Sequence, residues 1–335
     1  MFPEIQVSSL IFDPTPDSEN ALKLTATRYI PRSTTPHGST LLFVHNSGGH
    51  KEQWNPTLEQ LFARQKFAQL NIREAWAVDW QSHGEAGQIN SVQLENRGPV
   101  SLYEWATAIA AFLRSDHLRG HSIVGVAESA GSSAMLLATQ HFLPHSLPFK
   151  GIIIIEPIMA SREYYRNFGA ERDRAMAVAT AIVKGLRTSW STREEAFEYM
   201  RNHIRWKKWD LRVLRSHVDH GLYESPTGEI FCNNQPELCS YQEIPPHLDA
   251  VDQYRKIAPL IPIHFIFGQK NSFASPEAQQ SIFDPEHNIR PSSVQHVRNA
   301  RHLVLQENPD GLATAICMAL ATLKMEVISA QMSKL

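Results

Sequence analysis

Hydrophobic and polar positions alternate early in the chain, first in IQVSSLIF (Ile5–Phe12) and then in LKLTATRYI (22–30), with Asp, Pro and Ser between them. A period of two marks half-buried strands, so the chain is expected to open with an antiparallel pair. At Ser39 the pattern becomes a continuous apolar run, STLLFVH, of the kind a strand shows when both faces are covered. That run stops at the turn cluster Asn46-Ser47-Gly48-Gly49. From Gln53 to Gln65 the residues Trp54, Leu58, Leu61 and Phe62 recur at helical spacing. Glu74–Trp80 reads as the next strand. Ser101–Arg114 reads as a helix, with Ser101 and Glu104 placed as a capping box.

The same alternation continues. A strand is predicted over 122–127, a helix over 131–141, and a very apolar strand over 149–157, FKGIIIIEP, which Pro157 ends. Strands at 261–268 and 293–297 and a helix over 309–327 close the chain. Strands alternating with helices predict a mainly parallel, eight-stranded α/β sheet with helices on both faces. One interval breaks the rhythm. Between Glu156 and Ile261 the pattern is helical, rich in Arg, Tyr and Trp, with no convincing buried strand. Residues 158–257 are therefore expected to form an inserted helical cap over the sheet's C-terminal edge, where open α/β folds bind ligands. The core would then be 1–157 and 258–335.

Composition narrows the function classes. The chain has 335 residues, 42% hydrophobic and 20% charged, as a globular protein with a sizeable core would. Its 32 basic and 34 acidic residues nearly cancel, which gives no drive towards nucleic acid or an anionic membrane. No run approaches the roughly 20 apolar residues of a membrane span, and no secretory signal is legible at the start. Three cysteines, Cys232, Cys239 and Cys317, fit free thiols better than a disulfide framework. The sequence ends Ser333-Lys334-Leu335, the tripeptide read by the peroxisomal import receptor, so a peroxisomal location is expected.

The chemistry gathers at the strand ends. VGVAESAGSS (124–133) places Ser129 where a strand turns abruptly into a helix. Such an elbow needs small residues two before and two after the serine, and Ala127 and Gly131 meet that need. The helix N-terminus beneath the serine favours developing negative charge. An oxyanion would be held by the amide of Ala130 and by a second amide from the loop after the third strand, Ser47 before Asn46. A base is expected late in the chain, and His302 in NARHLV suits it better than His296, which falls inside a strand.

The acid is less plain. The turn after the next-to-last strand reads FGQKNSF, with Asn271 where an Asp would serve. A second position is the end of the strand after the serine helix, where Glu156 follows four isoleucines. A carboxylate there is costly unless paired, and His302 is the expected partner. Glu277 is the reserve. The simpler reading of Glu156 is a cap on loop amides. The pairs His141/His145 and His217/His220 lack the further ligands a zinc site requires, so no metal or other cofactor is expected.

With these residues in view the chain resembles the α/β-hydrolases, and within them the fungal peroxisomal hydrolases of host-selective toxin biosynthesis. Those are related to a yeast peroxisomal lipase and to a mycophenolic-acid acyl-CoA hydrolase. The resemblance rests on FVHNSGGHKEQWNP, VGVAESAGSS, IIIIEPI, WSTREEAFEYMRNHIRWKKWDLRVLRSHVDHGL, FGQKNSF, NARHLV and the terminal SKL. Asn46, where glycine is usual, and Asn271 depart from it. It implies a serine esterase, lipase or thioesterase that cleaves an ester or acyl-CoA thioester of a fatty or polyketide acyl chain, for example a decatrienoic acid derivative. Ser129, His302 and Glu156 would form its triad. The alternatives are acyl transfer or cyclisation on the same fold, and an inactive binding protein. In the cap, Arg205-Trp206-Lys207-Lys208-Trp209 could hold the phosphates and adenine of CoA, or form a helix face with its tryptophans turned inward. His220-Gly221-Leu222 either lines the acyl pocket or turns the chain.

Overall fold

Eleven strands form two sheets in the computed structural model, which describes residues 5–16, 21–32, 34–65, 67–97, 99–270, 273–287 and 289–332, the last eight by backbone only. The terminal tripeptide Ser333-Lys334-Leu335 and Asn271 lie outside the described residues. The large sheet contains β1 (Ile5–Phe12), β2 (Leu24–Pro31), β3 (Ser39–Val44), β4 (Ile72–Val78), β5 (Ser122–Glu128) and β6 (Phe149–Ile155). The short strands β7 (Ser189–Trp190), β8 (Tyr223–Glu224) and β9 (Ile230–Phe231) form the small sheet. The chain then returns to the large sheet with β10 (Ile263–Gly268) and β11 (Ser293–Val297).

The large sheet has the order β1-β2-β4-β3-β5-β6-β10-β11. β2 pairs antiparallel with both β1 and β4, and every pair from β4 to β11 is parallel. This is the eight-stranded, mainly parallel sheet the hydrophobic pattern predicts. β3, β5, β6 and β10 are buried almost throughout because helices cover both faces.

One face packs on helices Leu102–Arg114, Ala130–Ala138 and Pro245–Ile257, through Trp105, Ile109, Leu136 and Tyr254. The other packs on Asn55–Gln65 and Pro309–Met332, through Leu58, Leu61, Ile316 and Leu320. The expected capping box at Ser101 and Glu104 is present.

Residues between β6 and β10 build a third hydrophobic cluster, separate from the two on the sheet. Val183, Trp190, Met200, Trp206, Leu214 and Val218 lie at its centre. Trp206 lies in the turn between Asn202 and Leu211, and the others come from helices Arg162–Lys184, Arg193–Asn202 and Leu211–His220 and from the small sheet, whose two-residue strands the helical periodicity of this segment conceals. Helix Pro245–Ile257 packs instead in the sheet's core, with Ala250, Val251 and Tyr254 against helix Ala130–Ala138. By packing, the separate layer therefore ends before Pro245. No helix among the described residues is long and apolar enough to cross a membrane.

Candidate active site

Ser129 sits between β5 and helix Ala130–Ala138 with φ 53° and ψ −119°. This positive φ disfavours any residue that bears a Cβ, and it holds the serine out of both elements. Small residues on both sides allow the turn. A Cβ on Gly131 would lie 2.3 Å from the carbonyl oxygen of His45, at the end of β3. Ala127, fully buried, shows that the position two before the serine tolerates a methyl group.

The Ser129 hydroxyl donates to His302 Nε2 at 3.2 Å. His302 Nδ1–H in turn donates to Glu156 Oε2 at 3.1 Å. Glu156 is fully buried at the end of β6, also at positive φ, 44°. Its other oxygen accepts from the Gly268 amide at 2.6 Å. One carboxylate thus meets His302 and caps the amide that ends β10. Gly268 is itself required, since a Cβ there would lie 2.4 Å from the Arg301 carbonyl oxygen, beside His302. His296 is exposed within β11 and Glu277 is exposed on helix Pro276–Gln280. Neither has a hydrogen bond to His302 among the described residues.

The amides of Ser47 and Ala130 have no protein acceptor among the described residues. Ala130 is the first residue of its helix, and Ser47 lines the same cavity as Ser129. That cavity has a volume of about 570 Å³ and lies between the sheet edge and the segment that follows β6. Ile158, Met176, Val178, Ile182, Leu186 and Ile204 give it an apolar side, and Asn46, Ser129 and His302 border it.

Sequence reasoning passed over Glu128. It is fully buried, one residue before Ser129, and accepts from the Leu305 amide at 3.1 Å and from Gln306 Nε2 at 3.3 Å. Burial pushes its carboxyl up to about 7, against the pull of those bonds and of His302. Like Glu156, Glu128 is a charge at the end of an apolar strand.

The Arg205–Trp209 run divides. Trp206 is buried in the third cluster, and Lys207 and Lys208 face solvent. Arg205 lines the cavity, where its guanidinium is paired with Glu237, which also accepts from Tyr241. Arg205 therefore does not stand free to bind phosphate. Gly221 borders the cavity while Leu222 is buried beneath it. Cys232, Cys239 and Cys317 are free thiols. Among the described residues no three His, Cys, Asp or Glu side chains are arranged to hold a metal ion.

Residues 41–315 match the profile of the alpha/beta hydrolase family, and the chain belongs to that family. No curated protein sequence matches it. Among solved structures it is similar to the peroxisomal α/β-hydrolase Lpx1 of Saccharomyces cerevisiae, at 17% identity and a TM-score of 0.70, covering 96% of this chain and 90% of the other. It is also similar to E-2-(acetamidomethylene)succinate hydrolase, at 17% identity and a TM-score of 0.67, covering 94% and 99%. The thioesterase domain of the curacin biosynthetic pathway is similar at 12% identity and a TM-score of 0.63, covering 93% and 99%. At these identities the structural likeness speaks for the fold.

Proposed function

We propose that the protein is a serine hydrolase that cleaves an ester or thioester of an acyl chain through an acyl-enzyme. The observation that carries this reading is the continuous hydrogen-bonded line from Ser129 through His302 to Glu156, with Ser129 and His302 on the wall of one cavity.

In this mechanism His302 Nε2 takes the hydroxyl proton as Ser129 Oγ attacks the acyl carbonyl. Glu156 holds the imidazole with its proton on Nδ1 and stabilises the imidazolium that forms. The Ser47 and Ala130 amides receive the negative charge of the tetrahedral intermediate, each worth about 3 kcal/mol of barrier. His302 returns its proton to the leaving oxygen or sulfur, the alcohol or thiol departs, and His302 then deprotonates the water that releases the acid.

The apolar side of the cavity supports a fatty or polyketide acyl group, as in peroxisomal lipid metabolism or the assembly of a fungal secondary metabolite. A peroxisomal location is supported by the likeness to Lpx1, a peroxisomal hydrolase. Import of a fluorescent fusion, with and without Leu335, tests that part separately. The activity is tested by turnover of matched acyl p-nitrophenyl esters and acyl-CoA thioesters. We expect wild-type protein to release acid from at least one class and Ser129→Ala to release none. Equal turnover by the two proteins would refute the mechanism.

A further inference from the structure

The cavity wall also carries polar side chains for which this reaction has no use. His50, Gln53, His83, Arg205, Trp209 and His217 all line it. Four of their nitrogens, His50 Nε2, His83 Nε2, Arg205 Nε and Trp209 Nε1, are buried without a hydrogen-bond partner among the described residues. Buried polar atoms are normally paired, because leaving one unpaired forfeits its hydration. Several on one cavity wall point to a polar group that arrives with the ligand.

The tautomers are built in. His50 and His217 stack with ring centroids 5.6 Å apart and planes 21° from parallel. His50 Nδ1–H donates to Glu52 Oε2 at 2.9 Å, which leaves Nε2 as an acceptor in the neutral ring. His217 Nδ1 accepts from Gln53 Nε2 at 3.2 Å, so its proton is on Nε2. Gln53 cannot turn over freely, because its Oε1 accepts from Gln306 Nε2 at 3.0 Å and that nitrogen also donates to Glu128. Burial, with His50 and Arg205 nearby, pushes the His217 imidazole down to about 3 and keeps it neutral. The two stacked rings therefore carry one acceptor and one donor.

The cations nearby are all taken. Arg205 is paired with Glu237 and Arg301 with Glu307, all four on the cavity. Lys51, beneath His50, is held by Glu52, Asp79 and Glu85. No spare cation is left among these residues for a carboxylate or phosphate, and three carboxylates surround Lys51, so the guest group is not an anion.

We propose that the stacked His50–His217 pair is a subsite for a hydroxyl group on the substrate, donating to His50 Nε2 and accepting from His217 Nε2–H. The inference rests on the ester or thioester reading of the same cavity, and the hydroxyl belongs either to the acyl chain or to the leaving alcohol.

Calorimetric binding to full-length Ser129→Ala protein tests it without turnover. One arm compares methyl octanoate with methyl octanoates hydroxylated at successive carbons. The other compares octanoate esters of simple alcohols with those of the matching diols. At least one hydroxylated ester is expected to bind about tenfold more tightly than its parent, the scale of one net hydrogen bond. The arm in which it falls identifies the source. Adding His217→Phe is expected to abolish the preference, and Gln53→Leu, which releases the tautomer, to weaken it. The idea is overturned if no hydroxylated ester binds more tightly than its parent, or if the preference survives both substitutions. Fluorophosphonate labelling of wild-type Ser129 reports on the hydrolase reading independently. A hydroxyl preference without labelling would end that reading and leave the subsite standing.

Discussion

The sheet edge and the layer above it are built on opposite terms. Four non-glycine residues have positive φ among those described, and three of them, Ser129, Glu156 and Asn299, lie just beyond the ends of β5, β6 and β11. Two of the three bear the side chains on either side of His302, and the third lies three residues before it. Each such residue costs on the order of 1–3 kcal/mol, which the packed parallel strands must sustain. The layer between β6 and Pro245 has no such residue beyond Glu156 and closes around its own cluster of tryptophan, methionine and aliphatic side chains. Strain lies where three polar groups must meet, and relaxed packing lies where a cavity needs only a wall.

Breaking the strained edge should have the largest effect. Glu156→Gln keeps the shape and the Gly268 contact but removes the charge facing His302, and turnover should fall on the order of 10⁴-fold in steady-state kinetics. A loss of tenfold or less would mean that another group orients His302.

Next comes the relaxed layer. Trp206→Ala should destabilise it by about 3–5 kcal/mol through the cavity left behind. Hydrogen exchange should then show protection lost across 183–241 while the amides of β3, β5 and β6 keep theirs. Uniform loss would show that the layer and the sheet unfold as one unit.

Glu128 gives a smaller effect with a defined sign. Its folded pKa, about 7, stands above the ordinary value of 4.5. Its neutral form therefore adds stability that is complete below pH 4.5 and is lost as pH rises through 7. Glu128→Gln should gain on the wild type by on the order of 3 kcal/mol between those limits, read from denaturant unfolding at a series of pH values. Glu243, also raised to about 7, is untouched and cancels in the comparison. A pH-independent difference would contradict the assignment. The smallest effect is a gain. Ser129→Gly relieves the elbow and should raise stability by about 1 kcal/mol while ending turnover.

The same contrast explains what could be read from sequence. Continuous apolar runs such as STLLFV and GIIII state their burial directly, so the sheet, the elbow at Ser129 and the charge at Glu156 are legible. The capping box at Ser101 is equally local. The layer above is not. Its cavity-facing and cluster-facing residues share one helical periodicity, which hides β7, β8 and β9 and places the boundary at 257 although helix Pro245–Ile257 packs on the sheet. Glu128 is legible by the rule applied to Glu156, but the adjacent serine masks it. The His50–His217 stack joins residues far apart in sequence, and no local pattern announces it.

The central claim is that His302, held by Glu156, activates Ser129. The most direct measurement is fluorophosphonate labelling with the modified residue located by mass spectrometry, in wild-type protein, Ser129→Ala and His302→Ala. Rapid modification of Ser129 in the wild type, none in Ser129→Ala and strongly slowed labelling in His302→Ala is the predicted result. An unlabelled wild type, or labelling at the wild-type rate without His302, would contradict it.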